Sequence, residues 1–501
     1  MVLRVAFIAA ECEPWAKTGG LGDVVDALAR ALGDVRDENG EPAVASPVDV
    51  YLPRYRSVPV PDTATSRSLP VPDPLALRGT TEVGIVDVAA DGYRLRLVDH
   101  PPAFDRAGFY GEDADYPDNP WRFGLFCRAA LEAIRGEAEP VDAIHVHDWH
   151  ACPAVLLRDR WYADDPVLGP AAILLTLHNL AYHGWTALEA IGLIGLAPGD
   201  GVVPADADGL DLLRAGTARV DLANTVSPGY AREALTPEFG FGLEGVLAAK
   251  GDRFLGILNG IDTRLWDPAT DGALAVNYSR DARSGKAACR RDLLERVGFD
   301  PDDRGPVLAM IGRLDPQKGF DLLAEAAPAL LDLGARLVVL GSGDRRIAAA
   351  LRDLATARPM RVALLERFDR EMARRIYAGA DLFLMPSRFE PCGQGQMISL
   401  RYGTPPVVHA TGGLRDTVND VRSAPDMGTG WVFDTPTADG LTEACAAAMV
   451  AFRAGGRAWE ALLDRGMAVD FDWASRPAPA YVDAYRRASV IRAAAAPQAG
   501  P

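Results

Sequence analysis

The residues able to do chemistry gather just after short apolar runs. Ile311-Gly312-Arg313-Leu314-Asp315-Pro316-Gln317-Lys318-Gly319 ends one run and opens a helical pattern, with two cations five residues apart. An arginine forks two oxygens and a lysine acts as a point charge, so this pair at a strand end suits a diphosphate. Two ordinary surface charges would read the same way. Pro386-Ser-Arg-Phe-Glu-Pro-Cys-Gly-Gln-Gly-Gln396 ends another run, and Thr411-Gly-Gly-Leu-Arg-Asp416 opens a further helix. Glu390 lies three residues past its apolar run, where a carboxylate is costly unless paired or solvated. That placement points to a functional carboxylate.

The first half repeats the pattern. Glu11-Cys-Glu-Pro-Trp-Ala-Lys17-Thr-Gly19-Gly20-Leu-Gly-Asp23 follows the first run, and a Gly-Gly turn opening a helix presents backbone N–H groups to an anion beside the Lys17 charge. It matches neither G-x-x-x-x-G-K-[ST] nor G-x-G-x-x-G, and an ordinary strand-to-helix turn is the rival reading. His145-Val-His147-Asp148-Trp149-His150 and His178-Asn-Leu-Ala-Tyr-His183 hold five of the seven histidines. His-x-His at strand period puts two imidazoles on one face, as in a metal site. Metallohydrolases with H-x-H-x-D-H place the carboxylate one position later than Asp148, so the metal reading is the minor one, and His145 reads as a satisfied core histidine.

These groups need a scaffold of buried strands. Apolar runs at 3–10, 93–100, 143–149, 171–179, 220–227 and 253–260 alternate with helical patterns, and a second series follows at 306–314, 335–343, 361–368, 380–387 and 404–411. Such alternation predicts parallel sheets of βαβ units, in which ligands bind at the carboxyl ends of the strands. The 501 residues fit two doubly wound domains in tandem, 1–260 and 261–478. A helix over 479–492 is expected to pack back on the first, its start delayed by Pro477 and Pro479. The Pro-rich segment Leu52–Gly79 is expected to be a surface loop and 493–501 a disordered tail.

Composition narrows the partners. A net charge of −17, from 52 Lys and Arg against 69 Asp and Glu, argues against nucleic acid or an anionic membrane. A few placed cations still suffice for a small anion. The six scattered cysteines form no C-x-x-C pair, and no apolar stretch is long enough to span a bilayer, so a reducing, cytoplasmic setting is expected.

Taken in order, Lys17-Thr-Gly-Gly-Leu, His147-Asp-Trp-His, Thr176-Leu-His-Asn-Leu-Ala-Tyr, Thr225-Val-Ser-Pro-Gly-Tyr-Ala-Arg-Glu, Leu258-Asn-Gly-Ile-Asp262, Gly312-Arg-Leu-Asp-Pro-Gln-Lys-Gly319, Ser387-Arg-Phe-Glu-Pro-Cys-Gly393 and Thr411-Gly-Gly-Leu-Arg-Asp-Thr417 resemble the bacterial glycogen synthase and plant starch synthase family. The resemblance spans nearly the whole chain. It implies an α/β GT-B fold, two Rossmann-like doubly wound domains facing across a cleft. It also implies retaining transfer of glucose from ADP-glucose to the non-reducing 4-OH of an α-1,4-glucan, with no cofactor and no obligatory metal. By the same resemblance Arg313 and Lys318, with Lys17 and the Gly19 and Gly20 amides, would stabilise the departing diphosphate, and Glu390 would contact the sugar and offset positive charge. Asp148 and His178 would stand on the other side of the anomeric carbon. Asn259, Phe368, Cys392, Gly393, Gly395 and Thr411 would complete donor binding, and Asp23 would touch the acceptor.

Five positions, in four places, depart from the family pattern. Gln394-Gly395-Gln396 replaces Leu-Thr-Gln, Phe368 a tyrosine, His183 a glutamine and Cys152 a glycine. They bear on donor choice more than on reaction class. A transferase using UDP-glucose or another acceptor is therefore one alternative, and a glucan-binding or priming scaffold without catalysis is another.

Overall fold

The structure is a computed structural model that describes residues 2–112 and 114–495. The chain divides into two compact units. The first takes in the chain up to Val226, then Ala231–Asn259 and the residues from Trp473 on; the second is Ser227–Tyr230 with Gly260–Asp472. The division differs from the expected one in two places. Ser227–Tyr230 counts with the second unit because the Ser227 hydroxyl donates to Pro391 O at 2.6 Å and Gly229 N–H to the Asp416 carboxylate at 2.5 Å. The segment from Trp473 counts with the first because it leads into the C-terminal helix.

The first unit is built on nine strands: β1 (Val5–Ile8), β2 (Val48–Pro53), β3 (Thr65–Pro72), β4 (Thr80–Ala89), β5 (Tyr93–Asp99), β6 (Ala143–His147), β7 (Ala172–Leu177), β10 (Leu222–Thr225) and β11 (Phe254–Gly256). Between β7 and β10, β8 (Trp185–Ala187) and β9 (Gly209–Asp211) form a separate hairpin-like pair. The nine run in the order β11-β10-β7-β6-β1-β2-β5-β4-β3, and β4 runs opposite to the other eight. Strands β1, β6 and β7 are buried along their whole length, which is why they read as unbroken apolar runs. The helix Gly20–Leu32 sets Leu21, Val24, Val25, Leu28 and Leu32 on its buried face at helical spacing. Each such aliphatic side chain contributes about 1.5–3 kcal/mol when fully buried.

Two expectations are corrected here. Within the Pro-rich segment, 65–72 is an edge strand, with Pro70 opposite Glu82 and Pro72 opposite Thr80. Proline is tolerated because one side of an edge strand needs no ladder donor, and only Val71 of the eight is buried. The C-terminal helix runs Pro477–Ala495, starting at the first proline rather than at the second. First-turn N–H groups have no helical acceptor, so both prolines fit there. The expected tail thus loses 493–495 to the helix, and 496–501 lies outside the described residues.

The second unit carries β12 (Val307–Ile311), β13 (Arg336–Leu340), β14 (Val362–Leu365), β15 (Leu382–Met385), β16 (Pro406–His409) and β17 (Trp431–Phe433), all parallel, in the order β14-β13-β12-β15-β16-β17. Side-chain caps start two of its helices, Arg345–Ala357 and Arg370–Gly379: Asp344 accepts from the Arg346 and Ile347 N–H groups, and Asp369 from Met372. Both sheets reverse their winding once, between β1 and β6 in the first unit and between β12 and β15 in the second. A crevice opens at such a switch point because successive helices leave to opposite faces.

Candidate functional site

In the second unit, the segments after β12 and β15 are zipped together. Arg388 N–H donates to Gln317 O at 2.8 Å, the Gln317 side chain to Phe389 O at 3.3 Å, and the Arg388 guanidinium grips Asp321 at 2.8 and 2.7 Å. Gly319 makes this approach possible. It has φ +78°, and a Cβ there would lie 2.3 Å from Pro386 O. The result sets Lys318 Nζ on both Glu390 oxygens, at 2.8 and 2.7 Å, with the Ser387 hydroxyl donating to one of them at 3.0 Å. Glu390 is only 4% exposed, and these three bonds are what hold a carboxylate at that depth. Arg313 stands apart, 56% exposed and only 3.5 Å from the Asp315 carboxylate, so its fork is open to a ligand.

The Cys392–Gly393 backbone rests on the start of the helix Gly412–Thr417. A Cβ on Gly413 would lie 2.2 Å from Cys392 O, and Gly413 N–H donates to Glu390 O at 3.1 Å. Gly393 takes φ +73°, and Thr411 is buried beside this contact. Gln396, which keeps the family's glutamine, braces this turn: its Nε2 shares its two hydrogens among Cys392 O and Gly393 O, both at 3.0 Å, and the Thr417 hydroxyl at 3.1 Å. Gly395 has a packing cause, since a Cβ would lie 2.9 Å from the Phe383 ring. Phe368 is 80% exposed, with the Arg370 guanidinium 5.8 Å from its ring centre, so a ring face remains available for stacking.

In the first unit, the chain after β6 turns sharply at Asp148, which has φ +53°. Such a left-handed conformation in a residue other than glycine is uncommon, and aspartate tolerates it better than most. Asp148 is buried, and its Oδ1 accepts His178 N–H at 2.7 Å. Burial pushes its carboxyl up to about 7, against the pull of the His178 and Asn179 amides. Burial pushes His178 down to about 3 and His147 well below its ordinary value, so both rings are neutral. His147 Nδ1 and His178 Nε2 are 3.0 Å apart, while His147 Nε2 is buried without a partner among the described residues. An orphaned N–H is rarer than an orphaned acceptor, which favours the His147 proton on Nδ1. His178 then accepts at Nε2 and carries its own proton on Nδ1, ready to donate to a hydroxyl.

His145 has both nitrogens engaged, Nδ1 with the Tyr485 hydroxyl at 2.9 Å and Nε2 with the Thr176 hydroxyl at 2.7 Å. It is the satisfied core histidine its position suggested. His183 binds Asp211 at 2.6 Å, and Cys152 packs where a Cβ on Gly216 would meet its sulfur at 2.5 Å. Both of these departures thus have a structural cause inside the first unit. Lys17 Nζ donates to the Asp23 carboxylate at 2.5 Å and lies 3.9 Å from Glu13. Asn259 keeps a buried Oδ1 without a partner among the described residues. Gly19 N–H, expected to face a ligand anion, donates to Glu11 at 3.1 Å instead. Glu11 and its partner Tyr110 are the residues that the sequence reading passed over. The signal was present, because Glu11 directly follows a buried apolar run, as Glu390 nearly does.

The raised Asp148 carboxyl makes a testable demand on stability. Its folded value, about 7, exceeds the ordinary 3.8, so the native state holds this proton more tightly than the unfolded chain. The contribution is fully present below the ordinary value and is lost as pH rises through 7. Asp148→Asn lacks this term and keeps an acceptor oxygen for His178. Its Tm relative to the parent is expected to improve from pH 5 to pH 8; an identical difference at both pH values in thermal melts contradicts the assignment.

Known proteins resemble this chain along nearly its whole length. Residues 4–249 match the family described as starch synthase catalytic domain, and 305–450 match glycosyl transferases group 1. The chain is 42% identical to a glycogen synthase of Anaeromyxobacter sp. (strain Fw109-5), over 97% of this chain and 99% of that one. It is 38% identical to a glycogen synthase of Koribacter versatilis, over 98% and 99%. Among solved structures it is similar to the catalytic domain of starch synthase IV from Arabidopsis thaliana bound to ADP and acarbose, with TM-score 0.87, 33% identity and coverage of 98% and 100%.

Proposed function

The chain belongs to the starch and glycogen synthase family, and from that membership we propose that it transfers glucose from ADP-glucose to the non-reducing 4-OH of an α-1,4-glucan, with retention and no obligatory metal. It is a hexosyltransferase of the glycogen synthase type, with two Rossmann-like units of the GT-B fold. The observation that carries the finer reading is the pair of half-buried Lys318 and buried Glu390 at the β12/β15 switch point. As the glycosidic bond to the diphosphate stretches, positive charge develops at the anomeric carbon and negative charge on the leaving group. Glu390 offsets the first. Lys318 and Arg313 offset the second. Asp148 and His178 hold sugar hydroxyls, His178 through the Nδ1 proton argued above. Asn259, Phe368, Cys392, Gly393 and Thr411 bind the rest of the donor, and Asp23 the acceptor.

The ADP in the Arabidopsis structure supports an adenine nucleotide donor, and Phe368 retains the stacking face that such a base needs. A net charge of −17 suits an uncharged polymer acceptor. A cytoplasmic setting is supported by six free, buried cysteines; no described helix is long and apolar enough to cross a membrane. The test is incorporation of labelled glucose into glycogen from ADP-glucose and from UDP-glucose, each with and without chelator. Faster transfer from ADP-glucose, unaffected by chelator, is expected. Transfer from UDP-glucose alone overturns the donor, loss on chelation overturns the metal-free mechanism, and glycogen binding without transfer leaves a scaffold.

A further inference from the structure

The turn after β1 is organised around an anion that belongs to the chain itself. Glu11 is 3% exposed, and its carboxylate accepts four hydrogen bonds: Thr18 N–H at 2.7 Å and Gly19 N–H at 3.1 Å on Oε2, and the Thr18 hydroxyl and the Tyr110 hydroxyl, each at 2.6 Å, on Oε1. It makes no ion pair among the described residues, so these four donors alone offset its burial. Tyr110 in turn stacks on His150 with ring centres 4.4 Å apart, and His150 follows Asp148 by two positions, which ties this carboxylate to the segment after β6.

Beside that knot stand two glycines that the fold itself does not require. A Cβ on Gly19 or on Gly20 would meet nothing within 4 Å. Gly19 has an extended backbone, with φ −148°, that any residue adopts. Space is kept clear over the turn, next to Lys17, while the amides of Thr18 and Gly19 point back into the protein. The geometry points to Glu11 as a positioning residue for the donor: it fixes the Lys17–Gly20 turn from behind, holding the cleared face and Lys17 in place for a nucleoside diphosphate. This rests on the reading that the turn takes the donor's phosphates. It further specifies that the Thr18 and Gly19 amides serve the turn and never the ligand.

The test is steady-state kinetics with ADP-glucose and glycogen, together with the Kd for ADP by calorimetry, on the full chain and on Glu11→Ala, Glu11→Gln and Tyr110→Phe. Removing uniform binding raises KM with kcat little changed, so Glu11→Ala is expected to raise the donor KM and the ADP Kd about tenfold, with glycogen KM unchanged. Glutamine keeps one acceptor oxygen and is expected to restore part of the loss. Tyr110→Phe removes one of the four bonds and is expected to shift donor KM in the same direction by less. Should Glu11→Ala fail to fold, the other two carry the test. Parental donor KM and ADP Kd in the folded variants overturn the proposal, even if Tm falls, because that is a purely structural role. A lowered donor KM or ADP Kd also overturns it, since Glu11 would then compete with the phosphate. Absence of transfer by the parent chain would instead count against the proposed function, and the ADP Kd would still decide the role of Glu11.

Discussion

Glu390→Ala is expected to lower kcat by about three orders of magnitude, the scale on which a preorganised charge in a water-poor site acts on a transition state. The donor KM is expected to move by only a few fold, because the interaction strengthens as the anomeric carbon becomes positive. The fold should survive. Lys318, released from two bonds of 2.8 and 2.7 Å, keeps access to water with its side chain 28% exposed, so the stability cost is about 1–3 kcal/mol. Glu390→Gln separates charge from shape: it retains an acceptor for the Ser387 hydroxyl and is expected to be nearly as slow as alanine. Single-turnover rates with thermal melts check both. A glutamine variant with the parental rate contradicts the charge role.

Lys318→Ala is expected to cost about two to three orders of magnitude in kcat and to raise the donor KM as well, since in the proposed mechanism the ammonium serves the diphosphate before and during bond breaking. It also leaves Glu390 buried without its cation. The two side chains act as a unit, so the double variant Lys318→Ala/Glu390→Ala is expected to be little slower than the slower single one. Additive losses in a double-mutant cycle would show that the two act independently. Lys318→Arg is expected to recover only part of the rate, because a planar fork does not reproduce a point charge seated on both oxygens of one carboxylate.

Local order was readable from the sequence where one strand or one turn decides the matter. The runs at 143–149 and 171–179 correspond to fully buried strands, and Asp148, Glu390 and Lys318 were marked by lying in the segments that follow apolar runs. Sheet order was not readable. That β1 lies beside β6 and β12 beside β15 depends on pairing across more than a hundred and about seventy positions, respectively. The strands 48–53, 80–89 and 431–433 were among those that went unnoticed, and the Pro-rich segment was taken for a loop because edge position cannot be seen in composition. Glu11 carried the same cue as Glu390, but its four partners include Tyr110, 99 positions away. Asp148's strain likewise belongs to φ, which no spacing reports.

Among the departures from the family pattern, Gly395, His183 and Cys152 proved to have packing or pairing causes within their own units. Phe368 instead leaves its ring 80% exposed.

The most direct test of the central claim is proton NMR of maltoheptaose incubated with the purified chain and ADP-glucose. Growth of α-1,4 anomeric signals, one per ADP released, with no β signal and no free glucose, is the predicted result. A β-linked product, or ADP release accompanied only by free glucose, would contradict retaining glucan synthesis by this chain.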